Sequence, residues 1–196
     1  MPRTASSLGR LLLLAALLGA TAGCSGEAAG SFDPTGPCSS DGAAFGAYPD
    51  LESRLPTSYR GAAPEKVDSG RNCSAEKLGS LAGLGFDELR FAGATWSFGA
   101  ERAVVLAVFT APTLTLEALV SFYGDSARTT PRIEILAESN PSIAGRDGWR
   151  LDTKRVDRLQ TVVVWPAADP EVFNVVITND LPDARIQEAI EAFSDR

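Results

Sequence analysis

The sequence predicts an α+β domain: a mostly antiparallel sheet with helices packed on one face. Three observations predict it. Residues 158–165 and 172–179 are rich in Val, Ile and aromatics and read as strands. Residues 149–153 alternate strictly, with Trp149, Leu151 and Thr153 on one side and Arg150 and Asp152 on the other, the pattern of a strand with one face in water. Stretches 115–125 and 182–193 each carry one apolar stripe at i, i+3, i+4 and i+7, so each helix covers one sheet face and no more.

The elements follow in order. Order is expected from Tyr48, with Pro49 in a first helical position, Leu51 and Leu55 on one face, and Pro56 ending the helix. Residues 59–68 form a weak strand interrupted by Gly61 and Pro64. Asn72 or Ser74 caps a helix running to about Leu84, stopped by Gly83 and Gly85. Residues 89–98 read as a strand. Residues 103–111 (AVVLAVFTA) are apolar on both sides and therefore central. Thr115 caps the next helix, whose stripe is Leu116, Leu119, Val120 and Tyr123. A short strand at 133–138 and turns at 140–141 and 145–148 lead into the sheet-rich second half. Asp180 is expected to cap the last helix, with Pro182 in its first turn and Ile186, Ala189, Ile190 and Phe193 as its stripe. A strand leading through a Pro-containing loop into an amphipathic helix occurs at 103–125 and again at 172–193. Duplication and chance convergence both fit that echo.

The N-terminus has its own logic. Arg3 and Arg10 form a positive region, residues 11–18 are apolar, and residues 19–23 are small, which is the anatomy of an export signal. The apolar run is well short of the ~20 residues a spanning helix needs. Thr21-Ala22-Gly23-Cys24 resembles the lipobox of bacterial lipoproteins, with Thr21 where the family usually has an aliphatic residue. The resemblance implies removal of 1–23 as a lipoprotein signal peptide and acylation of Cys24, with palmitate among the chains. It implies membrane lipid as the first partner, and residence on the extracytoplasmic face of the cell membrane. Two acyl chains suffice for stable anchoring. Residues 24–47 then read as a lipid-anchored flexible linker, and 48–196 as one domain. With Cys24 lipidated, Cys38 and Cys73 are the two cysteines left, and an exported compartment permits them to pair.

Composition excludes several functions. The chain has 18 basic and 25 acidic residues, and loss of the signal peptide with Arg3 and Arg10 moves the balance from −7 to −9. Nucleic acid is not expected as a partner, because phosphate binding needs a basic footprint. Histidine is absent from all 196 residues. That removes Ser-His-Asp and Cys-His nucleophilic machinery and HExxH zinc sites. Gly83-Leu84-Gly85 lacks the third glycine of a dinucleotide loop, since Glu88 stands there. Asp147, Asp152 and Asp157 lack calcium-loop spacing and are interleaved with Arg146, Arg150, Lys154, Arg155 and Arg158, the composition of a solvated hairpin. No metal and no cofactor is expected.

The remaining candidates are aromatic. Trp165, at a strand end before Pro166, and Trp149, beside the Asp147-Gly148 turn, are the candidate binding surface. Two functional classes follow. One is a non-catalytic envelope module that binds a partner protein or small ligand. The other is a carboxylate-dependent cell-envelope hydrolase that works without histidine.

Overall fold

A strand whose residues are apolar on both sides must be covered twice, and the centre of this protein is made of such strands. The computed structural model describes residues 32–194. Its main sheet has eight strands, every neighbouring pair antiparallel. In chain order they are β1 (Gly42–Ala44), β2 (Lys66–Asn72), β3 (Leu89–Ser97), β4 (Ala103–Thr110) and β5 (Ile133–Ser139), then β8 (Trp149–Arg155), β9 (Arg158–Pro166) and β10 (Val172–Asn179). Between β5 and β8, β6 (Ser142–Ile143) and β7 (Arg146–Asp147) form a separate small hairpin. The spatial order is β1-β2-β3-β4-β10-β9-β8-β5, so each half of the sheet runs from an edge to the centre and the halves meet at β4 and β10. The helices are α1 (Pro49–Glu52), α2 (Ala75–Leu78), α3 (Ser80–Gly83), α4 (Leu116–Thr129) and α5 (Asp183–Ser194).

The mostly antiparallel sheet is as expected. The placement of helices on one face is not, and here the structure corrects the sequence reading. Ala107 and Phe109 of β4, Val162 and Val164 of β9, and Phe173, Val175 and Ile177 of β10 pack with Leu119 and Tyr123 of α4 and with Leu78 and Leu81 of α2 and α3. The alternate residues of the same strands, Val104, Leu106, Val108, Val163, Trp165 and Val176, pack instead with Ile186, Ala189 and Phe193 of α5 and with Leu51 and Leu55 beside α1. The sheet is therefore the middle of three layers. The reason is elementary: side chains alternate faces along a strand, so wholly apolar strands present two surfaces to water. A helix with one stripe can cover only one of them.

The helices settle the internal echo. β4 and β10 are antiparallel neighbours, and a two-fold axis relating such neighbours runs normal to the sheet, so it would keep both helices on one face. α4 packs on one face and α5 on the other, so the two strand-helix units are not symmetry mates.

The described part of the expected 24–47 linker, from residue 32, is bonded to the domain. It is strapped onto the sheet edge. Arg71, buried on β2, donates from Nη1 to the Gly36 carbonyl and from Nη2 to those of Asp33 and Pro37, at 2.7–3.0 Å. Cys38 is disulfide-bonded to Cys73 with 5.5 Å between Cα atoms. The Asp41 carboxylate accepts from the Cys73 and Ser74 amides at 2.6 and 2.9 Å, and β1 then adds a strand to β2. Gly, Ser and Pro leave this segment no apolar face of its own, so polar bonds and a covalent bridge hold it. The expected signal peptide and lipidation residue, 1–23 and Cys24, lie outside the described residues.

Three local features differ from expectation. β2 extends to Asn72, its last five residues buried and three of them paired with β1. Gly79, at φ +53°, divides the 75–83 segment into two short helices. Asp180 does not cap α5: its carboxylate accepts from the Leu159 amide and from Arg158 Nη1, each at 2.8 Å, and the helix starts at Asp183.

Two outcomes are expected. Replacing both bridge cysteines, Cys38→Ser with Cys73→Ser, should cost about 3–4 kcal/mol for a loop of 35 residues. Urea unfolding of both forms measures this, and a loss under about 1 kcal/mol would show the strap is held by its polar bonds alone. The second outcome concerns acid. Arg90 Nε donates to Glu88 at 2.8 Å, and Arg71 lies 3.7 Å away. The Arg90 hydrogen bond, with the charges of Arg90 and Arg71, holds the Glu88 carboxyl below its ordinary 4.5 against the opposing pull of partial burial. A carboxyl depressed in the folded state stabilises above its unfolded pKa, and that stability is lost as pH falls through the folded value. Glu88→Gln should therefore lose less stability than wild type on acidification from about pH 5 to about pH 3. Parallel slopes in pH-dependent urea melts would contradict it.

Candidate functional site

On the face carrying α5, the sheet is only partly covered. α5 lies over the centre, and the β6–β7 hairpin folds over the β5–β8 edge. Between them is a half-open cleft of about 530 Å³. Ile143 and Pro141 form one wall, Ala184, Ile186, Gln187 and Ile190 the other, and Arg150 and Val163 project from the sheet below. Ser139 and Ser142 stand at the hairpin rim.

Local sequence explains the walls. A Cβ at Gly148 would stand 2.5 Å from Ile143 Cδ1 and 3.2 Å from the Pro141 carbonyl. Only glycine lets the hairpin fold down so that Ile143 is buried against the sheet. The α5 wall is the partly exposed flank of the stripe that seals the core through Ile186 and Ala189.

The cleft has one cation, and it is held in place. Arg150 Nε donates to both oxygens of Asp152, at 2.9 and 3.1 Å, and Nη2 donates to Asp152 Oδ1 at 2.9 Å. Thr161 Oγ1, from the neighbouring strand, donates to the same carboxylate oxygen. Nη2 also reaches Asp183 Oδ1 at 2.7 Å, in the first turn of α5. The Asp152 hydrogen bond, followed by that to Asp183, raises the guanidinium above its ordinary pKa against partial burial, so Arg150 stays charged. An oriented guanidinium beside apolar walls can recognise a group; it is not a proton-transfer catalyst.

The residues singled out in the sequence fare differently. Arg150 and Asp152 do lie on the face opposite α4, as their alternation indicated. The candidate binding surface does not exist as one. Trp165 is 2 % exposed and stacks edge-on against Phe193 of α5, with ring centroids 5.6 Å apart. Trp149 is 1 % exposed, in the core beneath α4, and its Nε1 donates to Glu138 Oε1 at 3.0 Å. The two lie on opposite faces of the sheet. The cause is again two-sided burial, since a large aromatic on these strands meets a helix whichever way it points. Cys38 and Cys73 are bonded, as stated above. Asp147 lies in β7, Asp152 in β8 and Asp157 in the β8–β9 turn. Among the described residues no group of three Cys, Asp or Glu is placed to hold a metal.

Sequence reasoning missed the cleft because its walls come from β5–β6, β8, β9 and α5, brought together only by the sheet order. The single available signal was Arg150 alternating with buried neighbours. A core role for Trp165 makes a definite prediction: Trp165→Ala should destabilise the fold by about 3–5 kcal/mol. Chemical denaturation checks it, and a variant of unchanged stability would return Trp165 to the surface. No family model matches the chain, and no curated protein matches it.

Proposed function

We propose that the protein is an extracytoplasmic lipoprotein, tethered by acylated Cys24, whose domain binds a small ligand or partner in the cleft at Arg150. The observation that carries this reading is the Cys38–Cys73 disulfide. Structural disulfides persist in oxidising compartments, and the bridge agrees with export directed by the first 23 residues. The lipobox-like Thr21-Ala22-Gly23-Cys24 supplies the anchor.

The strap refines the tether. The described chain is already held against the sheet edge within the expected 24–47 linker, and whatever its conformation the chain from Cys24 to Phe32 spans at most about 25–30 Å. Such a tether keeps the domain near the bilayer, with the β1–β2 edge as its attachment side. Both carboxylates at the cleft cation, Asp152 and Asp183, are bonded to Arg150, and Asp152 also accepts from Thr161, which favours binding over hydrolysis.

The test separates anchor from domain. Wild-type chain should fractionate with membranes and show the mass of an acylated N-terminal cysteine. Cys24→Ala should appear in the soluble fraction or remain unprocessed. A mature mass that begins elsewhere and lacks acyl groups would overturn the assignment.

A further inference from the structure

The cleft has an asymmetry between its two charged partners. Arg150 is supported from behind: Asp152 grips its Nε edge, and Thr161 grips Asp152. Its Nη1 makes no hydrogen bond among the described residues, and Arg150 itself lines the cleft. Asp183 is built differently. Its side chain is 80 % exposed, and its bond to Arg150 Nη2 is its one side-chain bond to another residue among the described residues. The cation is preorganised, and the carboxylate that meets it is free to rotate into water.

We infer that Asp183 is a displaceable occupant, and that the cleft takes a small ligand with a carboxylate head and a short apolar body. The ligand carboxylate would replace that of Asp183 and accept from Nη1 and Nη2 together, end-on to the guanidinium, the geometry that favours Arg over Lys. The apolar body would lie along Ile143, Val163, Ile186 and Ile190, and Ser142 and Gln187 at the rim offer hydrogen bonds to a polar substituent. The volume of about 530 Å³ is within the range of small-molecule sites and admits a ligand of this kind. A cationic ligand fits less well, because both carboxylates nearby already share one arginine. The inference rests on reading the domain as a binding module and names the ligand class of that site.

The probes are hexanoate, hexylamine and hexanol, which share an apolar body and differ in the head. Each is titrated into the 15N-labelled full chain, following the Arg150 side-chain Nε–H resonance. Hexanoate should bind at least fivefold tighter than hexanol and shift that resonance. Asp183→Asn removes the competing charge from an exposed position, and should tighten hexanoate a further threefold or more while leaving hexanol unchanged. Arg150→Gln, followed through the backbone amides of β8 and α5 because the guanidinium resonance is gone, should erase the preference for hexanoate. The inference is overturned if hexanoate binds no better than hexanol, if hexylamine binds best, or if Asp183→Asn weakens hexanoate. The Asp183→Asn result stands even if Arg150→Gln does not fold. Tighter binding of hexylamine or hexanol than of hexanoate at this resonance would reject the carboxylate while leaving a binding module. Acylation at Cys24 is read separately by mass, so failure of the anchor leaves these titrations unaffected.

Discussion

Two-sided burial of the central strands is the constraint on which the structure depends. β4, β9 and β10 carry apolar residues on both faces over most of their length. Each face removed from water is favourable by about 25 cal/mol per Å² of apolar area, and neither can be left bare. An antiparallel sheet often solvates one face, but this one cannot. α4 closes one side and α5 the other, and α1 and the α2–α3 pair extend the cover toward the β1–β2 edge. The fate of the tryptophans follows. In a strand covered on both faces there is no outward position for a large aromatic to occupy.

Cover of this kind runs out at the edges, and the two edges are finished by different physics. At β1–β2 the chain has no apolar face to offer, so it is fastened by a disulfide, by the Asp41 carboxylate on backbone amides, and by Arg71. A buried guanidinium is costly unless its donors are used, and Arg71 donates to three carbonyls of the strap with Glu88 close by. The strap and the arginine thus require each other. This edge is also where the N-terminal segment enters the domain.

At the β5–β8 edge the second face loses its helix before it loses its sheet. α5 reaches β9, and the β6–β7 hairpin covers the rest through Ile143. The gap between them is the cleft, floored by strands whose other face is fully packed beneath α4. Arg150 stands in that gap because β8 is the strand where the outer face turns polar. A site floored by a sheet and held by an Arg–Asp–Thr network is rigid where recognition needs it to be. The exposed partner, Asp183, comes from a helix terminus.

Much of this was legible in the sequence, for local reasons. The strands at 89–97, 103–110, 149–155, 158–166 and 172–179 announce themselves by composition and period, and Thr115 and Ser74 by their capping chemistry, which the structure shows as bonds to the amides of Ala118 and Lys77. The pairing of Cys38 with Cys73 followed from cysteine number and compartment. What tertiary structure decided is everything that depends on strand order. Residue parity along one strand says which neighbours share a face, but not which helix covers that face. The crossing of α4 to β5, the far edge of the sheet, is set by the packing of the whole core. So the sequence could place Arg150 opposite Trp149, yet not bring Asp183, thirty-three residues on, to its guanidinium. Nor could it show that a Gly-, Ser- and Pro-rich stretch is an integral edge: the bonds that order residues 33–41 come from Arg71, Cys73 and Ser74, too far along the chain for local pattern to record.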